Sequence, residues 1–152
     1  MLLSGDISLY CEIAIVFAGG FTVRNSDRKA HGMVDMTEVL AASLNTGVIF
    51  ATQDIKNKIY ENYMEKFGFG QITGLSISQE SKGDIFSLSK RGDTYKATAS
   101  YGQGITATPL QMLNSFNALA NRGNLVQPYL VEQVKFSNGK IDGVEPKIIR
   151  KV

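Results

Sequence analysis

The sequence predicts an α+β chain, helix-rich in its middle and flanked by strands. Three observations carry this. A capped apolar helix begins after Asp35, a second helix start stands at Thr108-Pro109, and short apolar runs broken by Gly, Asn and Pro lie toward both ends. The 152 residues fit one domain with a sizeable core, and 43% apolar with 20% charged residues are globular values.

The N-terminal stretch is the hardest to read. Leu9 to Phe21 is apolar but interrupted by Glu12, and it is too short to span a bilayer. The residues before it carry Asp6 and no Lys or Arg, the wrong charge for a signal peptide, so neither export signal nor anchor is expected here. Ile13 to Phe17 reads as a strand ended by Gly19-Gly20, and Asn25 to Lys29 as a polar turn.

The helices are clearer. Asp35 is an N-cap with Glu38 placed for a capping box, and Met36, Leu40 and Leu44 share one face, which predicts a helix from about 36 to 42. Val48 to Phe67 reads as one or two amphipathic helices, with Ile55, Ile59, Tyr63 and Phe67 as a core stripe and Gly68 as the stop. Leu75 to Ser78 alternates like a short strand, and residues 79–97 read as a long surface loop. Ala97 to Thr106 is rich in small residues and lacks the phosphate-loop pattern. Thr108 caps a helix that opens on Pro109, with Leu110, Leu113, Phe116, Leu119 and Ala120 as its buried face and Asn121-Arg122-Gly123 as its end. Leu125-Val126 and Tyr129 to Phe136 read as strands, Ser137-Asn138-Gly139 as a hairpin turn, and Ile141 and Ile148-Ile149 as returning strand residues.

Composition excludes several functions. A net charge of +2 with scattered Lys and Arg gives no nucleic-acid footprint. A single cysteine, Cys11, rules out an internal disulfide and a cysteine zinc site, and its apolar setting reads as a small buried hydrophobe. With His31 the one histidine, neither a histidine metal cluster nor a Ser-His-Asp triad is expected, and no cofactor motif is present.

Two constellations could carry chemistry. Ser43 and Asn45 stand two residues apart at the break between two helical patterns; they read either as a cap for the second helix or as a hydroxyl and a carboxamide facing one site. A serine and a lysine at i and i+3 can form a nucleophile and its base, and Ser26/Lys29, Ser87/Lys90 and Ser137/Lys140 fit that spacing. Each sits in a polar, turn-rich stretch with no apolar helix to bury the amine, so none reads as a catalytic pair.

Taken in order, His31-Gly32, Thr37 to Leu40, Ser43 to Gly47, Phe67 to Gly70, Thr73-Gly74-Leu75, Glu80 with Gly83, Tyr101 to Ile105, and Thr108 to Gln111 resemble the transpeptidase domain of penicillin-binding proteins. The monofunctional class B peptidoglycan D,D-transpeptidases are the nearest in look. The resemblance covers residues 31 to about 132, which leaves 1–30 as an unaligned segment and 31–152 as a partial transpeptidase domain. It implies a helix-rich central fragment of the α/β/α sandwich of serine β-lactamases and transpeptidases, its helices exposing apolar faces.

The resemblance further implies a site of three motifs. Ser-x-x-Lys supplies an acylated serine and its base. Ser-x-Asn is matched here by Ser43 and Asn45, which would relay a proton to the leaving amine and hydrogen-bond the donor stem peptide. Lys-Thr-Gly holds the substrate carboxylate. The first and third are absent from these residues; Ser81-Lys82-Gly83 has the wrong order. Peptidoglycan stem peptides and β-lactams are the implied partners, and no cofactor is implied. Full-length members are membrane-anchored at the outer face of the inner membrane and can pair with a glycosyltransferase. A non-catalytic truncated or decayed homologue, and a D,D-carboxypeptidase or β-lactamase of the same superfamily, are the alternative readings.

Overall fold

The computed structural model describes residues 9–11, 15–18, 20–76 and 79–152, and its fold is α+β. The chain divides into two compact units, one of residues 1–60 with 87–105 and one of residues 61–86 with 106–152.

In the first unit, β1 (Leu9–Cys11), β2 (Ile15–Ala18), β3 (Phe21–Arg24) and β4 (Gly32–Val34) form two antiparallel pairs. β1 pairs with β4, Leu9 opposite Val34, and β2 with β3, Ile15 opposite Arg24. α1 (Met36–Ala41) starts on Asp35, whose carboxylate accepts the Glu38 N–H at 2.8 Å. α2 (Asn45–Thr52) follows after three residues, and α3 (Asn57–Lys66) carries the chain into the second unit. α4 (Asp93–Ser100) returns to the first. Two apolar clusters hold these elements. Val23, Ile49 and Ala97 pack with Tyr101; Val39 and Leu44 pack with Val34, Met36, Ala42 and Val48.

In the second unit, α5 (Pro109–Ala120) opens on a complete capping box between Thr108 and Gln111. β5 (Asn124–Val126), β6 (Gln133–Lys135), β7 (Ile141–Gly143) and β8 (Ile148–Lys151) form two antiparallel pairs, β5 with β8 and β6 with β7. Gly139, at φ +84°, turns the β6–β7 hairpin in the backbone region that glycine adopts without steric cost. Leu125, Ala118 and Phe69 are buried here.

Several expectations need correction. Residues 79–97 are not one loop: a short 3-10 helix spans Phe86–Ser89, and α4 begins at Asp93. Polar α4 residues conceal that helix in the sequence, because Thr98 returns its hydroxyl to the Thr94 carbonyl at 3.0 Å and so tolerates the helix interior. The stripe of Ile55, Ile59 and Tyr63 is exposed rather than core. The same holds for α5, where Leu113, Phe116 and Leu119 are 67%, 62% and 62% exposed while Gln111, Asn114, Ser115 and Ala118 are buried. The polar face turns inward because it completes hydrogen bonds that buried backbone demands. Gln111 donates to the carbonyls of Gln71 (2.7 Å) and Lys82 (2.8 Å), and Asn114 to that of Val126 (2.9 Å).

The Tyr129 to Phe136 strand shortens to β6, and Leu75 and Ser76 lie in no strand. Ile77 and Ser78, the other half of that expected strand, lie outside the described residues, as do Ile13, Gly19 and the side chain of Cys11.

Candidate active site

α1 ends in a geometry that presents Ser43. The Ser43 N–H reaches the Leu40 carbonyl at 3.2 Å and the Leu44 N–H reaches the Val39 carbonyl at 2.9 Å. Those two bonds, with the buried contact between Val39 and Leu44, make a Schellman termination in which Ser43 takes the position glycine usually fills. Ser43 sits at φ +53°. A non-glycine residue there costs about 1–2 kcal/mol, so the chain spends stability to keep a side chain at this point. Leu44 is driven into the core at 2% exposure, and Ser43 beside it is exposed. Its hydroxyl has no hydrogen-bond partner among the described residues.

Asn45 is the first residue of α2 and is half-buried. Its Nδ2 donates to the Arg24 carbonyl at 2.9 Å, which leaves Oδ1 and the second amide hydrogen for other partners. The capping alternative is not what the fold uses: Leu44 stands at the N-cap position with no side-chain bond. The α2 terminus is satisfied from a distance instead. Asn25, 2% exposed, accepts from both the N–H and the hydroxyl of Thr46 at 3.1 Å. The sequence placed Asn25 in a polar turn and gave no sign of this partner.

Gly47 sets how close α1 and α2 approach. A Cβ there would lie 2.6 and 2.8 Å from the two γ-methyls of Val39. At the other end of α2, Lys96 is 5% exposed, and its ammonium donates to the carbonyls of Gln53 (2.9 Å) and Ile55. A cation on the carbonyl end of a helix is electrostatically favoured. The sequence reading missed this residue as well.

The surrounding turn is ordered by Asp27, which accepts the Lys29 N–H at 3.0 Å and meets His31 Nε2 at 2.9 Å. The Lys29 N–H above all, with His31 adding to it, holds the Asp27 carboxyl below its ordinary range. Phe21, Tyr95, Thr98, Tyr101 and Gly104 line a cavity of about 640 Å³ in the same unit, and Ser43 and Asn45 are not among its lining residues. Burial pushes the Tyr101 phenol up.

In the second unit, Glu80 accepts the N–H groups of Thr73 and Gly74, and Gly83 lies where a Cβ would be 2.4 Å from the Thr106 carbonyl oxygen. These contacts join the Thr73-Gly74 and Glu80 positions of the sequence pattern and set Gly83 against Thr106.

None of the three Ser/Lys pairs lies in an α-helix. Lys29, Lys90 and Lys140 are all exposed; Lys90 lies 5.4 Å over the Tyr95 ring, and Lys140 pairs with Asp142 at 2.9 Å. Among the described residues no group of His, Cys, Asp and Glu could hold a metal, and no helix is long and apolar enough to cross a membrane.

The chain matches the penicillin binding protein transpeptidase domain over residues 15–152. It is 33% identical over 133 residues to stage V sporulation protein D of Bacillus subtilis, covering 87% of this chain and 20% of that protein. It is 33% identical over 98 residues to the peptidoglycan D,D-transpeptidase FtsI of Buchnera aphidicola, covering 64% and 17%. The crystal structure of penicillin binding protein 3 from Mycobacterium tuberculosis, complexed with aztreonam, aligns with a TM-score of 0.83 and 29% identity over 95% of this chain and 32% of that one. The chain thus spans about a fifth of the length of these curated relatives.

Proposed function

This chain belongs to the penicillin-binding protein transpeptidase family, and from that premise we propose that it is the Ser-x-Asn-bearing part of a peptidoglycan D,D-transpeptidase. The observation that carries the reading is Ser43 itself: a serine held at φ +53° where a helix termination favours glycine, with its hydroxyl exposed. A turn device would be better served by glycine; a proton relay needs the hydroxyl.

In this reading a serine outside these residues attacks the carbonyl of the donor stem peptide, and a lysine takes its proton. Ser43 passes that proton to the leaving amine, so the broken bond's nitrogen departs protonated while the new ester forms. Asn45, fixed through one amide hydrogen on Arg24, offers Oδ1 and its other hydrogen to the peptide, or to a β-lactam in the same place. The site works at the cell envelope, and the glycosyltransferase pairing of full-length members extends to this chain's parent enzyme.

Positioning without a nucleophile forms no acyl-enzyme. Incubated alone with a fluorescent penicillin, these 152 residues should give no labelled band that survives denaturation. A surviving band that disappears in Ser26→Ala, Ser87→Ala or Ser137→Ala overturns the proposal.

A further inference from the structure

We propose that Asn25 is the positioning residue of Asn45, clamping the start of α2 to the end of β3; this rests on reading Ser43 and Asn45 as the second motif of a transpeptidase. Asn25 is 2% exposed and follows β3 directly. Its carboxamide is used at both ends and in opposite senses. Oδ1 accepts from the Thr46 N–H and hydroxyl, both at 3.1 Å, and Nδ2 donates to the Lys29 carbonyl at 3.0 Å. Flipping the amide would set Nδ2 against the Thr46 N–H and Oδ1 against the Lys29 carbonyl, so one orientation is fixed.

The neighbouring residue completes the clamp, because the Arg24 carbonyl accepts the Asn45 Nδ2 at 2.9 Å. Two consecutive residues at the end of β3 therefore hold two consecutive residues at the start of α2, across 21 positions of sequence. No local side chain caps α2 in their place. Ser43 is set differently, by the α1 termination. The division predicts that Asn25 governs the Asn45 contact to substrate and leaves the Ser43 proton transfer nearly untouched.

The test is stopped-flow acylation by a fluorescent penicillin in the transpeptidase that carries this segment, resolving the Kd of the non-covalent complex from the limiting acylation rate. Asn25→Ala raises that Kd about 10-fold, the loss of one well-placed hydrogen bond, and changes the limiting rate less than about 3-fold. In an Asn45→Ala background, Asn25→Ala adds no further loss.

A purely structural role predicts a lower Tm with both acylation parameters of the folded protein unchanged, and that result overturns the proposal. If Asn45→Ala raises Kd and Asn25→Ala does not, positioning fails while the motif reading stands. If Asn45→Ala leaves Kd unchanged, the motif reading falls and the proposal with it. Should Asn25→Ala not fold, Thr46→Val removes one of the two bonds to Oδ1 and is expected to raise Kd in the same direction; no rise refutes the clamp.

Discussion

Replacing Gly47 by alanine probes the packing that holds the Ser43 turn. The new Cβ would sit 2.6 and 2.8 Å from the γ-methyls of Val39, a side chain with 0% exposure and one preferred rotamer in a helix. Overpacking of this kind costs up to about 3 kcal/mol. Alanine in a helix is about 1 kcal/mol better than glycine, so the net loss is up to about 2 kcal/mol. Val39→Ala removes both clashing methyls and leaves its Cβ at 3.3 Å; in that background Gly47→Ala stabilises by up to about 1 kcal/mol, a coupling of up to about 3 kcal/mol.

Amide hydrogen exchange at Leu44 and Val48 reads this directly, because their N–H groups bond to Val39 (2.9 Å) and Leu44 (3.1 Å) across the turn. Gly47→Ala should speed their exchange by up to about 30-fold, and should slow it in Val39→Ala. Slower exchange in the parent background, or equal effects in both backgrounds, refutes the reasoning.

Other predictions are shorter. Lys96→Met leaves the Gln53 and Ile55 carbonyls without their cation and should cost about 1–3 kcal/mol, seen as faster exchange of the α2 C-terminal amides; unchanged exchange contradicts it. Burial pushes the Glu80 carboxyl up, but the Thr73 side chain first, then the Thr73 and Gly74 N–H groups, outweigh it and hold the folded value below the ordinary range. A depressed carboxylate contributes stability that is present above its unfolded value and lost as pH falls through the folded one. The Thr73 and Gly74 amide shifts should therefore titrate below about pH 4.3, and a midpoint at or above that value contradicts the assignment.

What the sequence discloses is what is local. Asp35 and Thr108 announce their helices because a cap is a contact over three residues, and both caps are present in the fold. The Ser137-Asn138-Gly139 hairpin is legible for the same reason. Periodicity misled where apolar residues face outward. On α5 the buried stripe is Gln111, Asn114 and Ser115, selected by distant backbone carbonyls that no helical pattern reveals.

The site divides in the same way. Ser43 and Asn45 stand out only as part of an ordered set of motifs, since two polar residues at a helix break are common in any chain. Asn25 and Lys96 act over 21 and 43 positions, on partners that composition and spacing do not encode.

The claim that Ser43 is a proton relay rather than a turn residue is tested most directly by Ser43→Gly in the transpeptidase carrying this segment. Glycine suits φ +53°, so the variant should be at least as stable as the parent, by up to about 1 kcal/mol. Loss of the hydroxyl should lower the limiting acylation rate by a hundredfold or more, on the order of 10²–10⁴ for general acid–base catalysis. A stable Ser43→Gly protein that acylates at the parent rate would contradict the account.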